Sequence, residues 1–147
     1  MKENLKRQLR GEEGVEPCVY KDHLGFDTIG IGRLVDKRKP GAGLRPSEME
    51  LMLDNDVADR VAALERRMPW IVTLDQARQD VLLNMAFQMG TDGLMAFRNT
   101  LRFVEQGQYA NAAANMMMSK WYGQTPARAE RMIDQMRSGQ WKYKPGT

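Results

Sequence analysis

Apolar positions along the chain alternate between two spacings. In residues 2–13, Leu5 and Leu9 stand four apart among charged residues, which predicts a short helix. Gly14 is placed to close it and Pro17 bars its continuation. Two short β-prone runs, Cys18-Val19-Tyr20 and Phe26 to Ile31, flank His23-Leu24-Gly25 and predict a hairpin ending near Val35. Residues 36–43, DKRKPGAG, read as a basic loop. From Pro46, which suits a first helical turn, to Arg67 there is no Gly or Pro, and Leu53, Val57, Val61, Leu64 and Met68 keep helical spacing. A helix of that length spans roughly 33 Å. Pro69 ends it. Thr73 or Asp75 can cap a following helix with the stripe Ala77, Val81, Leu82, Met85 and Met89, closed by Gly90. Short helices are expected at about 92–97, 100–106 and 109–118, with Gly107 separating the last two. Thr125-Pro126 opens a final helix to about Arg137, before Gly139. The tail WKYKPGT is expected to pack loosely or against the first helix.

These elements give an α+β class, mainly α, in a single domain of residues 1–147. A β-hairpin lobe (about 14–50) and a helical lobe (about 70–147) are expected on either side of a long linking helix (about 46–67), with helix 2–13 packed on the helical lobe and a cleft beside the linking helix. The 147 residues suffice for one such domain, and 42% hydrophobic with 28% charged content fits a soluble globular protein. No apolar run reaches the length of a membrane span, and the charged first ten residues do not follow the pattern of a signal peptide. Cys18 is the single cysteine and forms no internal disulfide, consistent with a reducing compartment. The net charge of +3 is a mild bias toward anionic surfaces, but bases and acids are interspersed, which argues against nucleic acid as the partner.

The chemistry concentrates between Arg10 and Leu34, RGEEGVEPCVYKDHLGFDTIGIGRL. One acidic pair, Glu12-Glu13, sits where a helix ends, and Asp22 sits at a hairpin turn shortly after. Glycoside hydrolysis needs two carboxyl groups, one to protonate the leaving oxygen and one to act across the scissile bond. The negative end of the helix dipole disfavours further negative charge, which suits a proton donor there. Residue chemistry alone does not choose between Glu12 and Glu13, and Asp22 is equally readable as an ordinary turn residue. His23 is the only histidine, so zinc spacing and a Ser-His-Asp set are lacking, as is a Gly-rich phosphate loop. No cofactor is expected. Met116-Met117-Met118, Trp121 and Trp141 read as core or lobe-packing residues.

The order Glu13-Gly14, Tyr20-Lys21-Asp22 and Thr28 to Gly32 resembles the bacteriophage lysozymes of the T-even type, the endolysins. The resemblance continues through LNMAFQMG (Leu83 to Gly90), FRNTLR (Phe97 to Arg102) and SKWYGQTPARAERMI (Ser119 to Ile133) and covers nearly the whole chain. It implies a lysozyme-like fold and an endo-acting muramidase that cuts the β-1,4 bond between N-acetylmuramic acid and N-acetylglucosamine in bacterial peptidoglycan, by inversion, causing host cell lysis. It makes Glu13 the catalytic acid, with Asp22 and Thr28 acting on water or on developing charge. It places substrate contacts at Leu34, Phe87, Gln88, Thr100 and Asn115, where Thr100 stands in place of a Ser. Arg128, paired with the catalytic Glu, and Tyr20 are the supporting residues it implies. Arg33 departs from the family's His, and the resemblance suggests an ion pair between Arg33 and Asp56 instead. The loop 36–43 is shorter than the family's. The implied protein is a monomer, held in the host cytoplasm until the membrane is permeabilised and then acting on the periplasmic wall, without membrane insertion. Rival readings are a lytic transglycosylase or chitinase on the same scaffold, a non-catalytic wall-binding module and, furthest off, a basic nucleic-acid binder.

Overall fold

The computed structural model describes residues 2–147. Helix α1 runs Glu3–Glu13, and the Gly14 N–H closes it on the Arg10 carbonyl at 3.1 Å. Strands β1 (Glu16–Lys21), β2 (Asp27–Gly30) and β3 (Arg33–Leu34) follow as one antiparallel sheet in that order. The expected hairpin is β1–β2. The third strand is an addition: its two residues are too few to show a period in sequence. β1 is irregular between Glu16 and Tyr20, after which Tyr20 lies opposite Thr28 and Lys21 opposite Asp27.

The basic loop after β3 is anchored by its one acid. Asp36 is buried, and its carboxylate accepts the Asp27 N–H at 3.0 Å, the Arg38 N–H at 2.9 Å and two Arg38 guanidinium bonds at 2.8 and 2.7 Å. Helix α2 then runs Pro46–Arg67, as expected. Glu48 reaches back from its first turn to accept the Arg45 N–H at 2.8 Å, the reciprocal half of a capping box.

Pro69–Thr73 form a 3-10 turn, and Asp75 caps helix α3 (Gln76–Met95) by accepting the Arg78 N–H at 3.2 Å. The expected boundary at Gly90 appears as a kink: φ 82 and ψ 163 are far from helical and cheap only for glycine. Helices α4 (Arg98–Glu105), α5 (Tyr109–Met117) and α7 (Pro126–Ser138) match expectation within two residues. Helix α6 (Lys120–Gln124) was not anticipated. It is a single turn capped by the Ser119 hydroxyl, which accepts the Tyr122 N–H at 3.2 Å.

The chain divides into two compact units, one ending at Met52 and one running Leu53–Thr147. In the second, Leu64, Met68, Val81, Leu82, Met85, Leu94, Val104, Met116 and Met136 have almost no accessible surface. Each such side chain contributes about 1.5–3 kcal/mol by leaving water. Two expectations are corrected there. Of the methionine triplet only Met116 is core; Met117 and Met118 are 47% and 77% exposed, because three successive helical positions cannot face one side. Trp141 is also half-exposed, its indole N–H donating to Asp80 at 2.8 Å, which ties the tail to α3. No helix among the described residues is long and apolar enough to cross a membrane.

Candidate active site

Glu13 is the last residue of α1, and its carboxylate lies against the turn joining β2 to β3. A Cβ added to Gly32 would stand 2.8 Å from Glu13 Oε2, and Gly32 has φ +70. The backbone conformation favours glycine there, and a Cβ would make the end of the Glu13 side chain shift. The Tyr20 hydroxyl donates a long bond of 3.4 Å to the Glu13 carbonyl.

Asp22 sits in the turn at the other end of β2. Its Oδ1 accepts the Leu24 and Phe26 N–H groups, both at 2.9 Å. The Phe26 bond, most of all, holds the Asp22 pKa below the ordinary carboxylate value; desolvation opposes it, and Leu24, His23 and Gly25 add to it. Asp22 is thus an anion at neutral pH, with one oxygen committed to the turn. Its Oδ2 has no hydrogen-bond partner among the described residues.

Thr28 is buried between these two turns, its hydroxyl donating to the Phe26 carbonyl at 3.0 Å, which leaves the oxygen's lone pairs free to accept. Tyr20, Thr28 and Leu34 form one cross-strand row, since Thr28 is paired with Tyr20 on one side and Leu34 on the other. Four of the first unit's anticipated site residues therefore lie on or beside β2: Thr28 within it, Tyr20 opposite on β1, Asp22 in the turn before it and Glu13, at the end of α1, against the turn after it. Arg33 forms its ion pair with Glu48, not with the expected Asp56. The fork is bidentate, 2.7 and 2.8 Å, and Glu48 is already fixed by its capping bond. His23 is exposed on its turn, as expected.

The second unit holds the other anticipated residues. Phe87 is half-exposed and lines a hollow of about 340 Å³ together with Leu53, Val57, Leu83 and Arg128. Arg128 donates from Nε and Nη2 to Asn84 Oδ1 at 3.0 and 2.8 Å. Partial burial, then the like charge of Arg131, hold the Arg128 pKa below the ordinary guanidinium value. Gln88 is engaged at both ends of its amide, accepting from the Trp121 indole at 3.0 Å and donating to Thr125 at 3.5 Å. Thr100 has no accessible surface and donates to Asn115 Oδ1 at 2.6 Å. Its influence on any ligand must pass through Asn115, which lines a second hollow of about 750 Å³. Among the described residues no group of three His, Cys, Asp or Glu could hold a metal ion.

The phage lysozyme family model matches residues 10–135, a span that contains every one of these residues. The chain belongs to the phage lysozyme family. As a member of that family it is a glycoside hydrolase. It is 29% identical over 165 residues to "Probable T4-type lysozyme 1" of Dictyostelium discoideum, covering 95% of this chain and 96% of that protein. It is 29% identical over 154 residues to the pre-baseplate central spike protein Gp5 of Enterobacteria phage T4, covering 88% of this chain and 27% of that protein. It is 30% identical over 135 residues to the peptidoglycan hydrolase gp36 of Pseudomonas phage phiKMV, covering 90% of this chain and 15% of that protein.

Three residues of this chain that shape the site are missing from the sequence-based expectations. Asp36 joins β2 to the following loop, Glu48 receives Arg33, and Asn84 holds Arg128. Each had a signal. Asp36 is the lone acid in DKRK, Glu48 stands three residues after Arg45 at capping-box spacing, and Asn84 is an amide inside an apolar stripe.

Proposed function

We propose that the chain is an endo-acting muramidase that hydrolyses the β-1,4 bond between N-acetylmuramic acid and N-acetylglucosamine in bacterial peptidoglycan, with inversion. The observation that carries this reading is the placement of Glu13 and Asp22 at opposite ends of β2, with Thr28 between them, in a chain of the phage lysozyme family. Glu13 donates its proton to the leaving glycosidic oxygen. Asp22 stays ionised and, through its uncommitted Oδ2, orients or deprotonates the attacking water; Thr28 Oγ1 accepts from the same water. Inversion needs roughly 6.5–9.5 Å between the two carboxyls, room for that water, against about 5–5.5 Å in a retaining enzyme.

Leu34, Phe87, Gln88, Thr100 and Asn115 are the proposed substrate-binding set. Phe87 and Leu34 offer apolar surface to sugar rings, Asn115 offers its amide, and Thr100 and Gln88 fix their neighbours. Arg128 and Tyr20 are the proposed supporting residues, Tyr20 through its bond to the Glu13 carbonyl. The enzyme works as a monomer without cofactor on the bacterial wall, once the host membrane has been permeabilised, and so contributes to host lysis. The name of the phiKMV relative supports peptidoglycan as the substrate.

One experiment tests the reading. Purified peptidoglycan is digested with the parent and with Glu13→Gln, and the product ends are identified. Reducing muramic acid ends from the parent alone are expected. Anhydro-muramic ends would make it a lytic transglycosylase, cleavage of chitin in place of peptidoglycan a chitinase, and retention of wall fragments without cleavage a binding module.

A further inference from the structure

The tail after α7 is pinned at several points, and it carries charge that the proposed reaction does not use. Trp141 donates its indole N–H to Asp80 at 2.8 Å, and the Lys142 N–H donates to Gln135 Oε1 at 3.0 Å. Gln135 is itself buried, its amide nitrogen donating to the Ala77 carbonyl at 2.7 Å. Beyond Tyr143 the chain turns back, the Thr147 N–H and hydroxyl donating to the Lys144 carbonyl at 3.2 and 2.6 Å. Lys142, Tyr143 and Lys144 are thus held beside α7, where they line a hollow of about 650 Å³ together with Arg128 and Arg131. Four cations line this hollow, and no carboxylate does among the described residues. Arg128 is committed through Nε and Nη2 to Asn84. Arg131, half-buried one turn further along α7, and the two exposed lysines have no side-chain partner among the described residues. The charges feel one another: burial and then the like charge of Arg131 lower the Arg128 pKa. Gathering like charges costs free energy that a bound anion returns. The neutral polar groups in the lining are already engaged. Asn84 Oδ1 accepts from Arg128, and the Thr125 hydroxyl donates to the Trp121 carbonyl at 3.3 Å and accepts from Gln88 at 3.5 Å.

The uncommitted cations reach the hollow from two segments, the helix and the tail. A phosphate, with charge spread over several oxygens pointing in different directions, can meet all three, whereas a flat carboxylate offers only two oxygens. Tyr143 adds a ring that is 72% exposed, an aromatic surface beside charged donors on which a sugar can lie. Asn84 and Arg128 also line the hollow of about 340 Å³ that contains Phe87, so the two hollows adjoin, and a glycan lying on Phe87 continues into the second. We infer that this second hollow recognises a phosphate ester carried on the wall glycan, with Arg131, Lys142 and Lys144 holding the phosphate and Tyr143 the sugar beside it. The inference rests on the muramidase reading and deepens it: the three cations set specificity for phosphorylated glycan and take no part in the chemistry.

Two measurements on the full chain test it. In the first, backbone amide shifts are followed as N-acetylglucosamine 6-phosphate is added. Arg131 and residues 142–144 are expected to move, and to stay still with N-acetylglucosamine. In the variant Arg131→Gln/Lys142→Gln/Lys144→Gln the phosphosugar is expected to bind roughly tenfold more weakly, the scale of three partly exposed charge pairs. Added salt should weaken the parent's binding in the same direction. Arg131→Lys/Lys142→Arg/Lys144→Arg, which keeps the charges, retains most of the binding and shows that the loss does not come from misfolding. In the second measurement, glycan strands carrying 6-phosphate on muramic acid are compared with the same strands treated with a phosphatase. The parent's KM is expected to be lower on the phosphorylated strands with kcat alike, and the glutamine variant should not distinguish the two. Equal shifts with both sugars, unchanged binding in the glutamine variant, or equal KM on both strands would overturn the site. So would displacement of the phosphosugar by phosphatidylglycerol vesicles at a lower phosphate concentration, which would make the occupant a lipid surface. Were neither strand cleaved while the phosphosugar still moved these residues, the muramidase reading itself would fail and the phosphate binding would stand, a result distinct from the others.

Discussion

The two units of this lysozyme are held together by different forces. In the unit ending at Met52, no apolar side chain among the described residues is buried; the two buried residues are Thr28 and Asp36. Its order comes from carboxylates: Asp22 closes the β1–β2 turn, Asp36 ties a loop to β2, and Glu48 gathers Arg33 and Arg45. The unit from Leu53 to Thr147 is built on a continuous apolar core from Leu64 to Met136. Directional bonds in the first unit fix where charges point, and add little net stability when partly exposed. Non-directional burial in the second supplies the free energy. The proposed reacting groups stand in the first unit, where position matters most, and most of the proposed binding surface stands in the second.

The sharpest way to test this contrast is to remove one charge and keep its geometry. Asp22→Asn retains an oxygen to accept the Leu24 and Phe26 N–H groups, so the turn should hold and the melting temperature should barely move. Lysis of permeabilised cells should fall by about 10²–10⁴-fold, the usual worth of such a group. Activity within tenfold of the parent would mean that Asp22 is only a turn residue.

The converse change belongs in the second unit. Leu82 has no accessible surface, and Leu82→Ala should cost about 2–5 kcal/mol of unfolding free energy in a urea titration. Its activity per folded molecule at low temperature should match the parent's. A variant that lost activity without losing stability would break the division of labour.

Gly32→Ala tests both properties at once, with a smaller effect on each. The left-handed φ of +70 costs a non-glycine residue about 1–2 kcal/mol, and the new methyl meets Glu13 Oε2. Displacing that carboxylate by about an ångström should lower activity roughly 10²-fold with KM little changed. A stability loss with full activity would show that the Glu13 carboxylate is free to move aside.

How far such features could be read in advance depended on their range. Glu13-Gly14 and Thr28 to Gly32 were legible because a helix end and a hairpin are local, and α2 because its twenty-two residues repeat one spacing without interruption. The strand Arg33–Leu34 and the single turn Lys120–Gln124 are shorter than any period they could display. Thr100 reads the same in sequence whether it faces a ligand or is sealed beneath Asn115; only packing tells them apart. Arg33 was assigned the wrong acid because its partner is decided by a two-pronged geometry across 15 residues, which spacing does not encode.

The smallest expected effect concerns the carboxylates that order the first unit. The Arg33 fork, followed by the Arg45 bonds, depresses the Glu48 pKa far below its ordinary 4.5, and the Arg38 fork, followed by the Asp27 and Arg38 N–H bonds, depresses that of Asp36 below 3.8. The unfolded chain therefore binds protons at a higher pH than the folded one. The stability these groups contribute is complete above the unfolded values and drains away as pH falls through them toward the depressed ones. The melting temperature of the parent should decline as the pH is lowered from about 5 to about 2. In Glu48→Gln it should start slightly lower at pH 7 and decline less steeply, since one of the linked groups is gone. Identical slopes for the two proteins would mean that the charge on Glu48 does not help to hold Arg33 and the sheet in place. The comparison between a unit ordered by charge and a unit ordered by burial would then lose its first half.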